Sequence, residues 1–289
     1  MKVVINFVLT VAMIYKTIKD KKYLIIYFLI LGNICMPNQE TLSFINFNIH
    51  GLSPIINGFN DSKRVKHIFD KSVKYDIVFF QENWVYQEIL PDFFDDHSII
   101  IGERTKFCKK NNPKRSSGLN IIVKNNIKIK KYNEYLFEQC NGIIAHSNDC
   151  LASKGFIYLE ILLTNDILNL YVTHLDAGNS KNDIEVRKSQ LVSLTNNINN
   201  IKNNGPLIIC GDFNIDYYAE ENIINDFLYK LDLKVLKWDN NATEMIDYVL
   251  YRDGMNNSIT FIDYGIFPEL INYSDHPPIE FNVIFEGVK

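Results

Sequence analysis

Beyond Met36 the chain alternates short apolar runs with turns, and the period of each run names its element. Nine runs of four to eight residues predict strands, at 41–47, 76–80, 98–101, 118–123, 155–162, 168–173, 207–210, 246–251 and 279–283. Three segments repeat at helical spacing instead. Residues 61–74 place Val65, Ile68, Phe69 and Val73 on one face, opened by the capping-type pair Asn60-Asp61. Residues 183–203 carry Ile184, Leu191, Leu194, Ile198 and Ile201 on a stripe, and 221–231 form the third helix. Many strands with few interspersed helices imply an α/β fold, a four-layer sandwich of two packed mixed β-sheets flanked by helices. With no internal repeat and no long linker, one domain over 37–289 is the simplest organisation.

Composition fits such a body: 289 residues, 47% hydrophobic and 22% charged, hold one large domain with a full core. The first 36 residues stand apart. Two apolar runs, at 3–15 and 23–36, flank a basic stretch with Lys16, Lys19, Lys21 and Lys22. At 13 and 14 residues, each run is shorter than the roughly 20 apolar residues a spanning helix needs. A basic stretch followed by YLIIYFLILG fits a secretory signal or an uncleaved signal-anchor, so the expected location is secreted or membrane-anchored. This segment holds five Lys and one Asp, a net +4, which leaves the rest at −8 against −4 for the whole chain. An acidic body works against the phosphate electrostatics on which non-specific nucleic-acid binding depends.

The five cysteines show no metal-binding spacing. Cys210 closes the apolar run PLIIC as a buried small residue, and Cys140 and Cys150 lie close enough to pair if the chain is exported.

Chemistry gathers where the strand candidates end. The first ends in Asn48-Ile49-His50-Gly51 and the second runs into Gln81-Glu82. The sixth exposes His174 and the seventh exposes Asp212 and Asn214. The eighth opens with Ile246-Asp247, and Ser274-Asp275-His276 precedes the last. Loops at strand ends are where a rigid scaffold presents reactive groups. Any one such ending is unremarkable, but the set supplies the carboxylates, amides and imidazoles of a metal-assisted phosphoryl site.

The pieces FNIHG, QE, GDFN, IDYV and SDHPPI, in this order over residues 41–285, resemble the endonuclease/exonuclease/phosphatase superfamily. A narrower resemblance, to its neutral sphingomyelinase branch, lies in three pieces. These are THLDAG with Asp183, Arg187 and Gln190 after it, DCLASKGFIYLEI at 149–161, and RSSGLNIIVK at 115–124. The superfamily resemblance implies a two-sheet sandwich with its site at one edge and one or two divalent cations. Mg²⁺ is the expected ion, with Mn²⁺ or Co²⁺ able to substitute.

On this basis Glu82 is the main metal ligand, assisted by Asn48 and Asp275. Asp212 and Asn214, two apart in an extended segment, would point to one side, the first holding water and the second donating to a developing phosphorane oxygen. His276 and Asp247 form a dyad in which the carboxylate fixes the tautomer, and His174 lies across the phosphate. We assign His276 as base, while acid and base are not distinguished by the residues alone. Asp149 and Lys154 bind substrate, by resemblance as a switchable loop over the head group. His50 is expected to pack or cap, His67 to lie on the polar side of a helix and His97 in an acidic turn, none of them catalytic, while His146, near Asp149, is expected nearer the site.

The function expected from the resemblance is hydrolysis of sphingomyelin at a membrane surface to ceramide and phosphocholine, by a monomer with no nucleic-acid partner. The alternative is a nuclease or another phospholipid phosphodiesterase of the same superfamily. A non-catalytic binding protein is disfavoured because no member of the expected catalytic set is missing.

Overall fold

The computed structural model describes residues 39–52, 61–102, 117–142, 149–150, 152–239 and 243–287. The apolar N-terminal segment, Asn60 and His146 lie outside them. The described residues from Glu40 on form one compact unit. Its elements are β1 (Gln39–Gly51), α1 (Ser62–Ser72), β2 (Ile77–Asn83), β3 (His97–Ile101), β4 (Asn120–Lys124), β5 (Ile129–Leu136), β6 (Gly155–Leu162) and β7 (Ile167–His174). They continue with α2 (Lys181–Asn199), β8 (Leu207–Asp212), α3 (Glu221–Leu231), β9 (Lys234–Val235), β10 (Asp247–Arg252), β11 (Asn257–Ile266) and β12 (Ile279–Gly287).

Two six-stranded sheets result, ordered β11-β12-β1-β2-β4-β3 and β5-β6-β7-β8-β10-β9. Alternation along each central strand explains why they stack. Phe44, Ile77 and Phe79 of the first sheet share one cluster with Ile157, Leu170, Val172 and Ile208 of the second. The intervening residues face outward: Ile45, Phe47 and Phe80 meet Val65, Ile68 and Phe69 of α1. Tyr171 and Ile209 likewise meet Leu191 and Leu194 of α2 and Phe227 of α3. Strands covered on both faces read as continuous apolar runs. Each fully buried Phe or Ile contributes roughly 1.5–3 kcal/mol. The four-layer sandwich is therefore present as expected.

All nine expected strands form, and three more join them. β5, β9 and β11 lie at sheet margins, and no residue of β5 is fully buried. A margin strand needs no apolar run, so pattern alone passes over it. α1 starts beside Asp61, whose side chain makes no capping hydrogen bond. α2 begins earlier than expected because Ser180 and Asp183 close a capping box. Its first buried positions are the polar Asp183, Arg187 and Gln190 rather than the expected Ile184.

Two parallel pairs position the site: β1 with β2, connected through α1, and β7 with β8, connected through α2. Parallel pairing brings the C-terminal ends of partners together. Asn48 thus pairs with Gln81, next to Glu82, and His174 with Asp212. β10 runs antiparallel to β8, which sets its first residue, Asp247, beside Asp212. At Gly211 a side chain is impossible, since a Cβ would sit 2.0 Å from the Thr173 carbonyl oxygen. That close approach keeps β7 and β8 paired up to the site.

Candidate active site

Asp212 is the centre of the cluster. Its Oδ2 accepts from Asn48 Nδ2 at 3.0 Å and lies 3.4 Å from His174 Nε2 and 3.7 Å from His276 Nε2. Two imidazoles therefore converge on one carboxylate oxygen. Asn48 Nδ2 also donates to Glu82 Oε1 at 3.1 Å, while its Oδ1 accepts from the His50 amide. The two carboxylates thus draw the amide's donor end toward them. Asn48 in this pose bridges Glu82 and Asp212 through Nδ2.

His276 Nδ1 and Asp247 Oδ2 are 2.8 Å apart, the expected dyad. Burial opposes charge on His276, but Asp247 outweighs it by Coulomb attraction and the hydrogen bond, and with Asp212 carries the imidazole up to about 10. Burial, then the neighbouring Asp247, pushes Asp212 up to about 6. Burial raises Asp247 as well, against the pull of His276. His174 goes the other way, lowered by burial and then by Lys154 and His276.

Lys154 Nζ lies 3.0 Å from His174 Nε2, 2.7 Å from the Leu175 carbonyl and 2.7 Å from Asp149 Oδ1. An ammonium has no acceptor, so Nε2 of His174 must accept and Nδ1 carries the proton. Asp149 and Lys154 are only 2% and 6% exposed, and Asp149 Oδ2 accepts from the Ala177 amide at 2.9 Å. The pair is built into the floor of the site. Beside it Cys140 and Cys150 form a disulfide, with Cα atoms 5.1 Å apart. Cys210 is buried, and burial pushes its thiol well up.

Asn214 departs from expectation. The chain turns after β8, with Asn214 at φ 50°, so Asp212 and Asn214 do not lie along one extended face. The Asn214 amide donates to Asp212 Oδ1 at 2.9 Å and Nδ2 donates to the Leu175 carbonyl at 3.0 Å. Asp275 is 61% exposed at its side chain and lies 3.4 Å from His50 Nδ1. That contact exposes a residue the sequence argument set aside: His50 also lies 3.8 Å from Glu82 Oε2. His67 stacks on Tyr273, and His97 is buried near the Tyr75 carbonyl.

Glu82, His174 and Asp212 offer ligand atoms within 4.8 Å of one another, and so do Asp212, Asp247 and His276. The donor set, carboxylates with imidazoles, fits a divalent cation. Beside the dyad lies a cavity of about 160 Å³ lined by Trp238, Met245, Asp247, Asp275, His276 and Pro277.

A two-sheet sandwich with carboxylates and histidines at the facing ends of its central strands defines a class of hydrolase built for phosphate esters. This chain belongs to the Endonuclease/Exonuclease/phosphatase family, whose model matches residues 45–276. Members of that superfamily are metal-dependent hydrolases of phosphodiester bonds, and this chain is a phosphodiesterase of the superfamily.

Solved structures similar in fold include three at low identity. A mutant beta toxin from Staphylococcus aureus with bound magnesium ions is 16% identical with TM-score 0.59, covering 86% of this chain and 100% of its own. Streptomyces griseocarneus sphingomyelinase C is 16% identical with TM-score 0.57, covering 86% and 100%. The human nocturnin catalytic domain is 16% identical with TM-score 0.63, covering 88% and 100%. No curated protein matches the sequence.

Proposed function

We propose that the chain is a Mg²⁺-dependent sphingomyelin phosphodiesterase, releasing phosphocholine and leaving ceramide. The observation that carries the reaction is the convergence of His174 and His276 on Asp212 Oδ2, at 3.4 and 3.7 Å, beside Glu82. Glu82 would be the principal ligand of the cation, with Asp275 assisting. When bound, Mg²⁺ neutralises the phosphodiester and draws charge off the leaving oxygen. Asp212 orients the attacking water. His276, held by Asp247, takes its proton as oxygen bonds to phosphorus and the phosphorus–alkoxide bond breaks. Positive charge held at Glu82 would offset the field of Asp212 and Asp247 that otherwise keeps the proton on His276. The Lys154 ammonium passes a proton to His174 Nε2, 3.0 Å away, and the imidazolium so formed delivers it to the ceramide alkoxide.

The choice of lipid is supported by the THLDAG and 149–161 segments and by the Asp149–Lys154 pair, which resemble the sphingomyelinase branch. It is supported also by the fold likeness to sphingomyelinase C and by the net −8 beyond residue 36, which repels nucleic acid. The disulfide and the apolar N-terminal segment support export, with that segment removed or kept as an anchor. We take the working unit to be a monomer at a membrane surface.

The test is a parallel assay of the purified chain on sphingomyelin vesicles, phosphatidylcholine vesicles and DNA, each with Mg²⁺ and with chelator. Phosphocholine is expected from sphingomyelin, in Mg²⁺ alone. Cleavage of DNA without lipid turnover would overturn the proposal.

A further inference from the structure

We infer that His50 belongs to the metal position at Glu82, and that its imidazole makes this position prefer Mn²⁺ or Co²⁺ over Mg²⁺. The inference rests on the metal-dependent reaction proposed above and concerns which cation serves it. It begins with the backbone. β1 and β2 stay in register to Asn48 and Gln81 and resume at Gly51 and Asn83, so β1 carries one extra residue opposite Glu82. Within this bulge His50 has φ 47°, and Glu82 across from it has φ 56°. Both lie in the left-handed region, which non-glycine residues occupy at a cost in free energy.

A bulge re-aims a side chain, and here it turns the His50 ring toward the carboxylates. The surroundings hold it there. Arg64 donates to the Ile49 and His50 carbonyls at 2.8 Å each, and a Cβ at Gly51 would meet the Glu82 carbonyl oxygen at 2.8 Å.

The contacts suit ligation better than hydrogen bonding. His50 Nδ1 is 3.4 Å from Asp275 Oδ1 and 3.8 Å from Glu82 Oε2. Both exceed a good N–H···O bond. Two ligands each about 2.1 Å from one cation stand roughly 3.0 Å apart at right angles and roughly 3.4 Å apart at tetrahedral angles. The 3.4 Å between His50 and Asp275, whose Oδ1 also accepts from Ser274 Oγ at 3.1 Å, matches the tetrahedral value, and the 3.8 Å to Glu82 exceeds it by a few tenths of an ångström. Glu82 divides its oxygens, Oε1 accepting from Asn48 and Oε2 facing His50. One nitrogen among oxygens shifts preference from Mg²⁺, which takes hard oxygen, toward the ions that accept imidazole.

The test is calorimetric titration of the full chain with MgCl₂ and with CoCl₂, with the visible spectrum recorded in Co²⁺. Wild type is expected to bind Co²⁺ at least tenfold more tightly than Mg²⁺. His50→Asn, which tolerates the left-handed backbone, is expected to lose about tenfold or more in Co²⁺ affinity with little change for Mg²⁺, and to shift the Co²⁺ absorption. Asp275→Asn is expected to weaken both ions. If the Asn variant does not fold, His50→Gly, which relieves the strain, decides. Unchanged Co²⁺ affinity and spectrum, or equal losses for both ions, would overturn the inference. A wild type that binds neither ion would instead defeat the metal-dependent reading itself.

Discussion

Removing His276 should cost stability as well as turnover, and the two losses are separable. His276 is the ion-pair partner of Asp247, at 2.8 Å, and Asp247 is 1% exposed with its Oδ1 unpaired among the described residues. His276→Ala leaves a buried carboxylate alone, which costs about 3–5 kcal/mol. Asp247→Asn leaves the His276 imidazole with Asp212, 3.7 Å away, as its remaining carboxylate, and costs about 1–3 kcal/mol, the penalty of an imperfectly satisfied polar group. The double variant removes both charges and should be more stable than the sum of the two losses implies.

The sign of the pH dependence follows from Asp247. Burial already raises its proton affinity, and losing the imidazole raises it further. A carboxyl raised above its unfolded value favours the fold at low pH and withdraws that support as pH rises through the folded pKa. The deficit of His276→Ala should therefore be small near pH 4 and grow toward neutrality. In turnover, His276→Ala should lose about 10²–10⁴-fold in kcat with little change in KM, and Asp247→Asn less. Urea unfolding at several pH values, with kcat measured on the same preparations, provides both readings. Additive stability losses, or an Asp247→Asn variant slower than His276→Ala, would refute the reasoning.

Three shorter expectations follow from the same geometry. Glu82→Ala should abolish turnover while circular dichroism stays that of wild type, and persistence of activity in chelator would contradict the ligand assignment. His174→Ala should lose about 10²–10⁴-fold on sphingomyelin and recover selectively on a p-nitrophenyl phosphodiester, whose leaving group needs no proton; equal losses on both substrates would remove His174 as acid. With −8 on the chain beyond residue 36, duplex DNA binding at physiological salt should be undetectable, and micromolar affinity falling steeply with salt would restore the nuclease alternative.

Much of this was legible in the sequence, for reasons that particular residues show. Strands such as β2 and β8 are covered on both faces, so burial wrote itself into the runs IVFF and LIIC. β5, with Lys130, Lys131 and Asn133 facing solvent, left no comparable trace. Glu82, His174, Asp212 and Asp247 were found because each sits where an apolar strand stops or starts. His50 carried a usable signal too: it is two residues from Asn48, the spacing that puts strand neighbours on one side. The bulge that turns its ring was not readable, because it depends on how β1 pairs with β2. The contact of Lys154 with His174 is likewise non-local, joining the start of β6 to the end of β7. Asn214 failed the extended-chain argument because the chain reverses just after Asp212.

The most direct measurement follows isotope during turnover of sphingomyelin vesicles by the full chain in H₂¹⁸O with Mg²⁺. Attack of an Asp212-held water on phosphorus should place one ¹⁸O in phosphocholine and none in ceramide, and chelator should stop the reaction. Label in ceramide, or DNA cleavage with no phosphocholine released, would contradict the central claim.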